Sequence, residues 1–110
     1  MRRKLTKIDI LGTEYKVFIG DRNEPDLQDA DGICKQFDKE LILRDKEYLA
    51  GDTDLGKEYR YSHVIRHELI HALAEESGVH YDEDEHLVDW IAHMIPILNK
   101  LDKEIADAHK

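Results

Sequence analysis

The front half of the chain alternates polar and apolar residues in short runs, a pattern typical of half-buried strands. Residues 7–10 and 15–19 alternate in this way on either side of the turn-forming Gly12. Residues 32–36 and 40–44 form a second pair of such runs. Because short consecutive strands usually pair with their neighbours, we expect a small antiparallel sheet in this half.

The centre of the chain changes to a helical period. Residues 45–61 are mixed in character and predict a loop with at most one helical turn, and residues 21–31 predict a loop. Ser62 is a candidate N-cap for a helix over residues 64–77, and Gly78 is typical of a helix C-terminus.

A second helix is predicted to begin near Asp82 or Asp84 and to run to about Ile95. The acidic residues at its start, 82–85, suit the helix dipole. Pro96 then kinks the chain or starts a third helix, amphipathic through Leu98, Leu101 and Ile105, which ends near residue 108. The predicted class is α+β.

Composition fits a single domain over residues 1–110, since the chain has a mass of 12.9 kDa with 41% hydrophobic and 37% charged residues. No run approaches the roughly 20 apolar residues of a membrane span. The net charge of -9 disfavours nucleic acid as a partner. Cys34 is the single cysteine, which excludes an internal disulfide and indicates an ordinary buried thiol in a cytoplasmic protein.

The segment HELIH at residues 67–71 carries the candidate chemistry. Histidines four residues apart on a helix lie about 5 to 6 Å apart at Cβ, close enough for His67 and His71 to share a zinc ion. Glu68 follows the first histidine, where a carboxylate can act as general base toward water activated by the metal. The flanking residues are apolar, so this helix should be largely buried, and a bound cation would compensate its polar groups. They are Val64, Ile65, Leu69, Ile70, Ala72 and Leu73.

Simpler interpretations stand beside this one. His67 and His71 could be core histidines bonded to the backbone, with Glu68 reaching solvent. His63 extends the histidine row, but its backbone lies about 12 Å from that of His71, so we interpret it as an exposed residue of the first turn. A metzincin pattern would need a histidine at Ser77, which excludes that subclass.

A catalytic zinc site needs a third protein ligand. The candidates downstream are His80, Glu83, Glu85, His86 and Asp89. Glu85 and Asp89 are spaced four apart on one face of the second helix, away from its apolar line, and His86 is the main rival. A solvated helix face is the plain alternative for the two acids.

At this point the chain resembles the gluzincins, whose HExxH is followed by ExxxD, as HELIH is here followed by Glu85-His-Leu-Val-Asp89. The segments RHELIHALAEESG and EHLVDWIA are similar to small zincin-like proteins of phages and mobile elements, and more distantly to ImmA-like metallopeptidases. The resemblance covers about residues 60–98. It implies that Glu85 is the third zinc ligand, that Asp89 orients a ligand histidine, and that the sheet packs on the HExxH helix and a second ligand helix, with a C-terminal helix.

The implied activity is hydrolysis of peptide bonds in a peptide or protein substrate, with Glu68 moving the proton. His80 and Tyr81, between the helices, are candidate donors to the transition state, and an edge strand of the sheet could pair with an extended peptide. The alternatives are a non-catalytic zinc-binding regulatory or interaction module of a phage or mobile element, and a metal-dependent hydrolase with another substrate. The sequence does not predict an oligomeric state.

Overall fold

The computed structural model describes residues 2–109 and contains a four-stranded sheet followed by two long helices, which confirms the α+β class. The strands are β1 (Arg2–Ile10), β2 (Thr13–Gly20), β3 (Gly32–Lys35) and β4 (Glu40–Arg44). The helices are α1 (Asp54–Ser77) and α2 (Glu85–Ala108). All four predicted strands are present, and the first two are longer than the alternating pattern indicated.

The sheet is mixed, in the order β1-β2-β4-β3, whereas the sequence analysis expected an antiparallel sheet. The outer pairs are antiparallel, but β2 and β4 are parallel, with Val17 opposite Leu41. The parallel pairing arises because residues 21–31 carry the chain past the position next to β2 before β3 begins. β4 then turns back and occupies the position between β2 and β3. Arg44, at the end of β4, fixes this segment by donating hydrogen bonds to the carbonyls of Leu27 and Ala30.

The core lies between the sheet and α1. Tyr15, Val17 and Ile19 alternate along β2 with more exposed residues, and all three are buried. Leu41 and Leu43 of the neighbouring strand belong to the same cluster, which is closed by α1 residues including Val64 and Ala72. This packing fixes α1 against the sheet and leaves its opposite side for α2.

Helix α1 begins about ten residues earlier than the sequence predicted, so the interpretation of residues 54–61 as a loop was wrong. Thr53, not Ser62, is the N-cap, and its side chain accepts a hydrogen bond from the backbone N–H of Gly56. Gly78 ends the helix with a φ of 77°, as expected.

Helix α2 begins as predicted, with the Asp84 side chain accepting from the N–H groups of His86 and Leu87. It is one continuous helix through Pro96, so of the two alternatives predicted at this proline, a kink or a third helix, a separate third helix is absent from the described residues. Proline at 96 has no N–H for the carbonyl of Ala92, four residues earlier. Arg66 of α1 replaces that donor, because its Nε lies 2.8 Å from the Ala92 oxygen.

Neither of the two long helices within residues 2–109 has the length and apolar character that a membrane crossing requires.

Candidate metal centre

Polar side chains meet in a row along the seam between α1 and α2. Tyr59, His63, His67 and His71 follow one another at four-residue spacing on α1, and His93, Asp89 and Glu85 do so on α2. Tyr59 contacts His93 at one end of the row, and His71 contacts Glu85 at the other, so the two helices run in opposite directions. The seam therefore brings the HELIH histidines to the acids of the second helix.

Glu85 closes the site between the two histidines. One of its carboxylate oxygens lies 2.9 Å from Nε2 of His67, and the other lies 3.1 Å from Nε2 of His71. The two imidazole rings are one turn apart, with centroids separated by 5.1 Å. His67, His71 and Glu85 each offer one ligand atom, and these atoms all lie within 4.8 Å of one another.

The other nitrogen of each histidine is held by a second carboxylate. Nδ1 of His67 lies 2.7 Å from Asp89, and Nδ1 of His71 lies 3.0 Å from Asp82. A neutral imidazole that donates from Nδ1 presents a lone pair at Nε2. Each Nε2 then faces a carboxylate oxygen, which is also an acceptor, so a proton or a cation must lie between them. This arrangement of lone pairs on nitrogen and oxygen fits a metal ion.

The distances are close to those that zinc, as one such ion, requires. Zinc binds imidazole nitrogen and carboxylate oxygen at about 2.1 Å, so two of its ligands in a tetrahedron lie about 3.4 Å apart. The separations of 2.9 and 3.1 Å between Glu85 and the histidines would need to open by only a few tenths of an ångström. Two histidines and one carboxylate leave a fourth position open, as in catalytic zinc sites. The Glu85 side chain is 64% exposed, so the centre opens to solvent on the α2 side.

Glu68 lies beside this group and is buried, with only 6% of its surface exposed. Its carboxylate oxygen is 4.0 Å from Nε2 of His67. Burial raises the pKa of Glu68, while the neighbouring His67 and His71 act in the opposite direction. A carboxyl group with a raised pKa is suited to take up and return a proton.

Because residue 32 of β3 is a glycine, β3 can lie close to α1 behind Glu68. A Cβ atom at this position would lie 2.8 Å from Cγ1 of Val64 and 3.0 Å from Cγ of Glu68. The first distance is shorter than real Cβ contacts, and the second is tighter than nearly all of them. The glycine therefore sets the position of Glu68 as well as the spacing between β3 and α1.

A cleft of about 540 Å³ adjoins the centre. It runs between the start of β3 and the α1–α2 seam, and its lining includes Asp31, Gly32, His63, His67 and Glu68. Among residues 2–109, no strand pairs with the outer edge of β3. An extended chain in the cleft would lie next to unpaired backbone groups of this strand and next to Glu68.

Asp89 also accepts from His63, at 3.4 Å, so His63, His67 and Asp89 form a second group of possible ligands. Burial raises the pKa of Asp89, but hydrogen bonds from His67 and His63 lower it more, and the net shift is downward. Asp89 thus behaves as an ionised acceptor between two histidines. His63 was interpreted as an exposed first-turn residue, whereas it lies partly buried in the middle of α1.

The remaining candidates lie elsewhere. His80 is exposed, and Tyr81 lines a separate hollow with Leu73 and Val79, so neither contributes to the lining of the cleft. His86 belongs to neither group of possible ligands among the described residues. Cys34 is partly buried. Burial is the main reason that the pKa of its thiol is raised to about 12, and the negative charges of Glu68 and Asp82 raise it further. This agrees with an unreactive thiol.

Sequence reasoning missed the contact of Asp82 with His71, since it assigned Asp82 to the helix dipole. Asp82 lies in a short 3-10 helix (Tyr81–Glu83) outside both long helices, and Gln36 also donates to its carboxylate. No periodicity connects Asp82 to His71, eleven residues earlier. The one feature of the sequence that could have indicated this contact is the presence of an acidic residue in the short connection between α1 and α2.

Comparison of the chain with protein-family models, with curated proteins and with solved structures found no match. The assignment of the centre therefore depends on the geometry of these residues.

Proposed function

We propose that the protein is a zinc-dependent metallopeptidase in which His67, His71 and Glu85 hold the metal and Glu68 is the general base. The observation that carries the proposal is the approach of both Nε2 atoms to the two oxygens of Glu85, with both Nδ1 atoms held by other carboxylates. That pattern matches zinc ligation by histidines whose outer nitrogen is hydrogen-bonded.

Each residue of the centre has a role that follows from its contacts. Asp89 and Asp82 fix the tautomer and ring orientation of His67 and His71, respectively. Zinc bound there would supply Lewis acidity, which polarises a scissile carbonyl and makes water more acidic. Glu68 accepts the proton of the attacking water and returns it to the leaving amine, a task helped by its raised pKa.

The substrate we propose is an extended peptide segment bound in the cleft beside β3. The free edge of β3 offers backbone N–H and C=O groups, and Glu68 lies directly behind Gly32 of that strand. Main-chain pairing of this kind gives affinity with little dependence on side chains. The cytoplasm is the compartment proposed, because Cys34 is the single cysteine and is free.

The proposal is tested by combining zinc analysis with cleavage of a broad peptide library. We expect one zinc per chain in the wild type, cleavage that stops when a chelator removes the metal, and return of cleavage when zinc is restored. Glu68→Gln should keep the zinc and lose cleavage, since an amide cannot accept the proton. Glu75→Gln, two turns further along α1, is the matched control and should retain both.

A protein that holds one zinc per chain but cleaves no peptide in the library would contradict the peptidase proposal. That outcome would favour the alternative of a non-catalytic zinc-binding regulatory or interaction module. A protein without stoichiometric zinc would overturn the proposed metal centre as well.

A further inference from the structure

The C-terminal half of α2 extends away from the rest of the protein. Every residue from 96 to 109 is exposed, although this segment is helical to Ala108. A helix of about 14 residues without tertiary packing is only marginally stable in water. Pro96 also removes one backbone hydrogen bond at the base of this half. A packing partner would therefore stabilise this half of α2 as a helix.

One side of this helix carries an apolar stripe with coiled-coil spacing. Its members alternate at intervals of three and four residues, and we call them the α2 stripe: Ile91, Met94, Leu98, Leu101, Ile105 and Ala108. Such spacing is the pattern by which two helices pack side by side. Trp90 and Ile97 flank the stripe, and at its base lies an apolar hollow of about 320 Å³. Leu73, Val79 and Tyr81 form a neighbouring exposed apolar surface, which meets the stripe at Ile91.

We propose that the α2 stripe is the interface of a homodimer, in which the α2 helices of two copies pack antiparallel. In the register that matches every member, Leu98 faces the partner's Leu101 and Met94 faces the partner's Ile105. The same register places Ile91 against the partner's Ala108. The protruding end of each helix then covers the hollow beside Trp90 of the other copy, and the two sheets lie at opposite ends of the dimer.

The exposed area is sufficient for such a dimer. Trp90, Leu98 and Ile105 are 60%, 65% and 74% exposed, and Ile97 and Leu101 are 44% and 50% exposed. With roughly 200 Å² for a large apolar residue, these side chains offer about 600 Å² per copy. Two copies would bury about 1,200 Å², which is at the lower end of the range for a specific, stable interface.

Charge does not oppose a second copy at this surface. The chain as a whole carries a net charge of -9, which makes two copies repel each other. Residues 97–109 contain two lysines, 100 and 103, and three acidic residues, 102, 104 and 107, a net charge of -1. Repulsion between copies is therefore weak along the protruding half of α2, where the stripe lies.

Sedimentation measurements test this proposal. We expect the wild type at about 10 to 100 µM to have twice the 12.9 kDa mass of the chain. Leu98→Glu combined with Leu101→Glu should give a monomer, since it places four acids in the interface. Phe37→Glu, an equally drastic change at a residue 97% exposed on the turn between β3 and β4, is the control and should remain a dimer. Circular dichroism and zinc content of the variants verify that each one folds.

Cysteine cross-linking tests the antiparallel register. A mixture of Met94→Cys and Ile105→Cys copies should form a disulfide-linked dimer under mild oxidation, while the parent chain, with Cys34 alone, should not. In this register the Met94 positions of the two copies lie about 16 Å apart along the helices, so efficient linking of Met94→Cys copies to each other would contradict it. A wild type that stays monomeric, or a dimer that resists the double glutamate change, would overturn the proposal. Neither result bears on the metal centre, which shares no residue with the stripe.

Discussion

Nδ1 of His67 lies 2.7 Å from Asp89, and this contact turns its Nε2 toward Glu85. The same relationship holds one turn along α1, where Asp82 takes Nδ1 of His71. Each proposed ligand histidine thus has a carboxylate behind it, and the two carboxylates come from different elements, α2 and the 3-10 turn before it. The arrangement orients both rings before any metal binds.

Asp82→Ala should weaken zinc binding by about 10- to 100-fold, because His71 loses the acceptor that fixes its ring. Competition with a chromophoric chelator measures this affinity. Glu83→Ala, at an exposed neighbour in the same short helix, should leave it unchanged. Equal affinity in the wild type and the Asp82 variant would show that His71 does not depend on this contact.

Gly32→Ala should reduce peptide cleavage more than tenfold while one zinc per chain is kept. The added methyl group would meet Val64 and Glu68, and overpacking of this kind costs about 1 to 3 kcal/mol of stability and shifts its neighbours. Gly12→Ala is the matched control, because φ of 94° makes it strained although no atom lies within 4 Å of the new Cβ. It should lower the melting temperature yet leave kcat/KM unchanged, and similar cleavage in both variants would contradict the role of Gly32.

Glu76 should make the protein sensitive to acid. Hydrogen bonds from Lys39, Tyr15 and Thr13 lower the pKa of Glu76 to about 2, from an ordinary value of 4.5. Its contribution to stability is therefore complete above pH 4.5 and is lost as the pH falls toward 2. Urea unfolding across this range measures the effect.

In Glu76→Gln, the free energy of unfolding should fall less steeply between pH 4.5 and 2 than in the wild type. The other carboxylates titrate in both proteins, so the difference between the two curves isolates Glu76. Parallel curves would mean that this carboxylate is not specially stabilised in the folded state.

Arg66 should stabilise α2 through the carbonyl that Pro96 leaves without a donor. Arg66→Met would leave the oxygen of the buried Ala92 unsatisfied, at a cost of about 1 to 3 kcal/mol. Pro96→Ala restores the backbone N–H, so the Arg66 change should cost clearly less in that background. Denaturant unfolding of the four proteins gives the coupling energy, and additive effects would exclude the compensation.

The sequence was sufficient for the four strands, for the end of α1 and for the start of α2. Alternation identified all four strands, Gly78 marked the end of α1, and Asp84 marked the start of α2. Local patterns report burial and capping, which depend on near neighbours along the chain. Thr53 is also a capping residue, but Gly51 and Gly56 around it favoured a loop, so the first ten residues of α1 were missed.

The sequence did not predict the contacts between elements that are far apart along the chain. The parallel pairing of β2 with β4 depends on how residues 21–31 cross the sheet, and no alternation encodes it. Continuity of α2 through Pro96 depends on Arg66, thirty residues earlier, and the role of Asp82 depends on a short turn folding back on His71. Each depends on contacts between residues that are far apart in the sequence.

The most direct measurement of the central claim is anomalous diffraction at the zinc edge from crystals of the zinc-loaded protein. We predict a single strong peak within about 2.1 Å of Nε2 of His67, Nε2 of His71 and a carboxylate oxygen of Glu85. A peak held instead by His63 and Asp89, or no peak at the HELIH helix, would contradict the account.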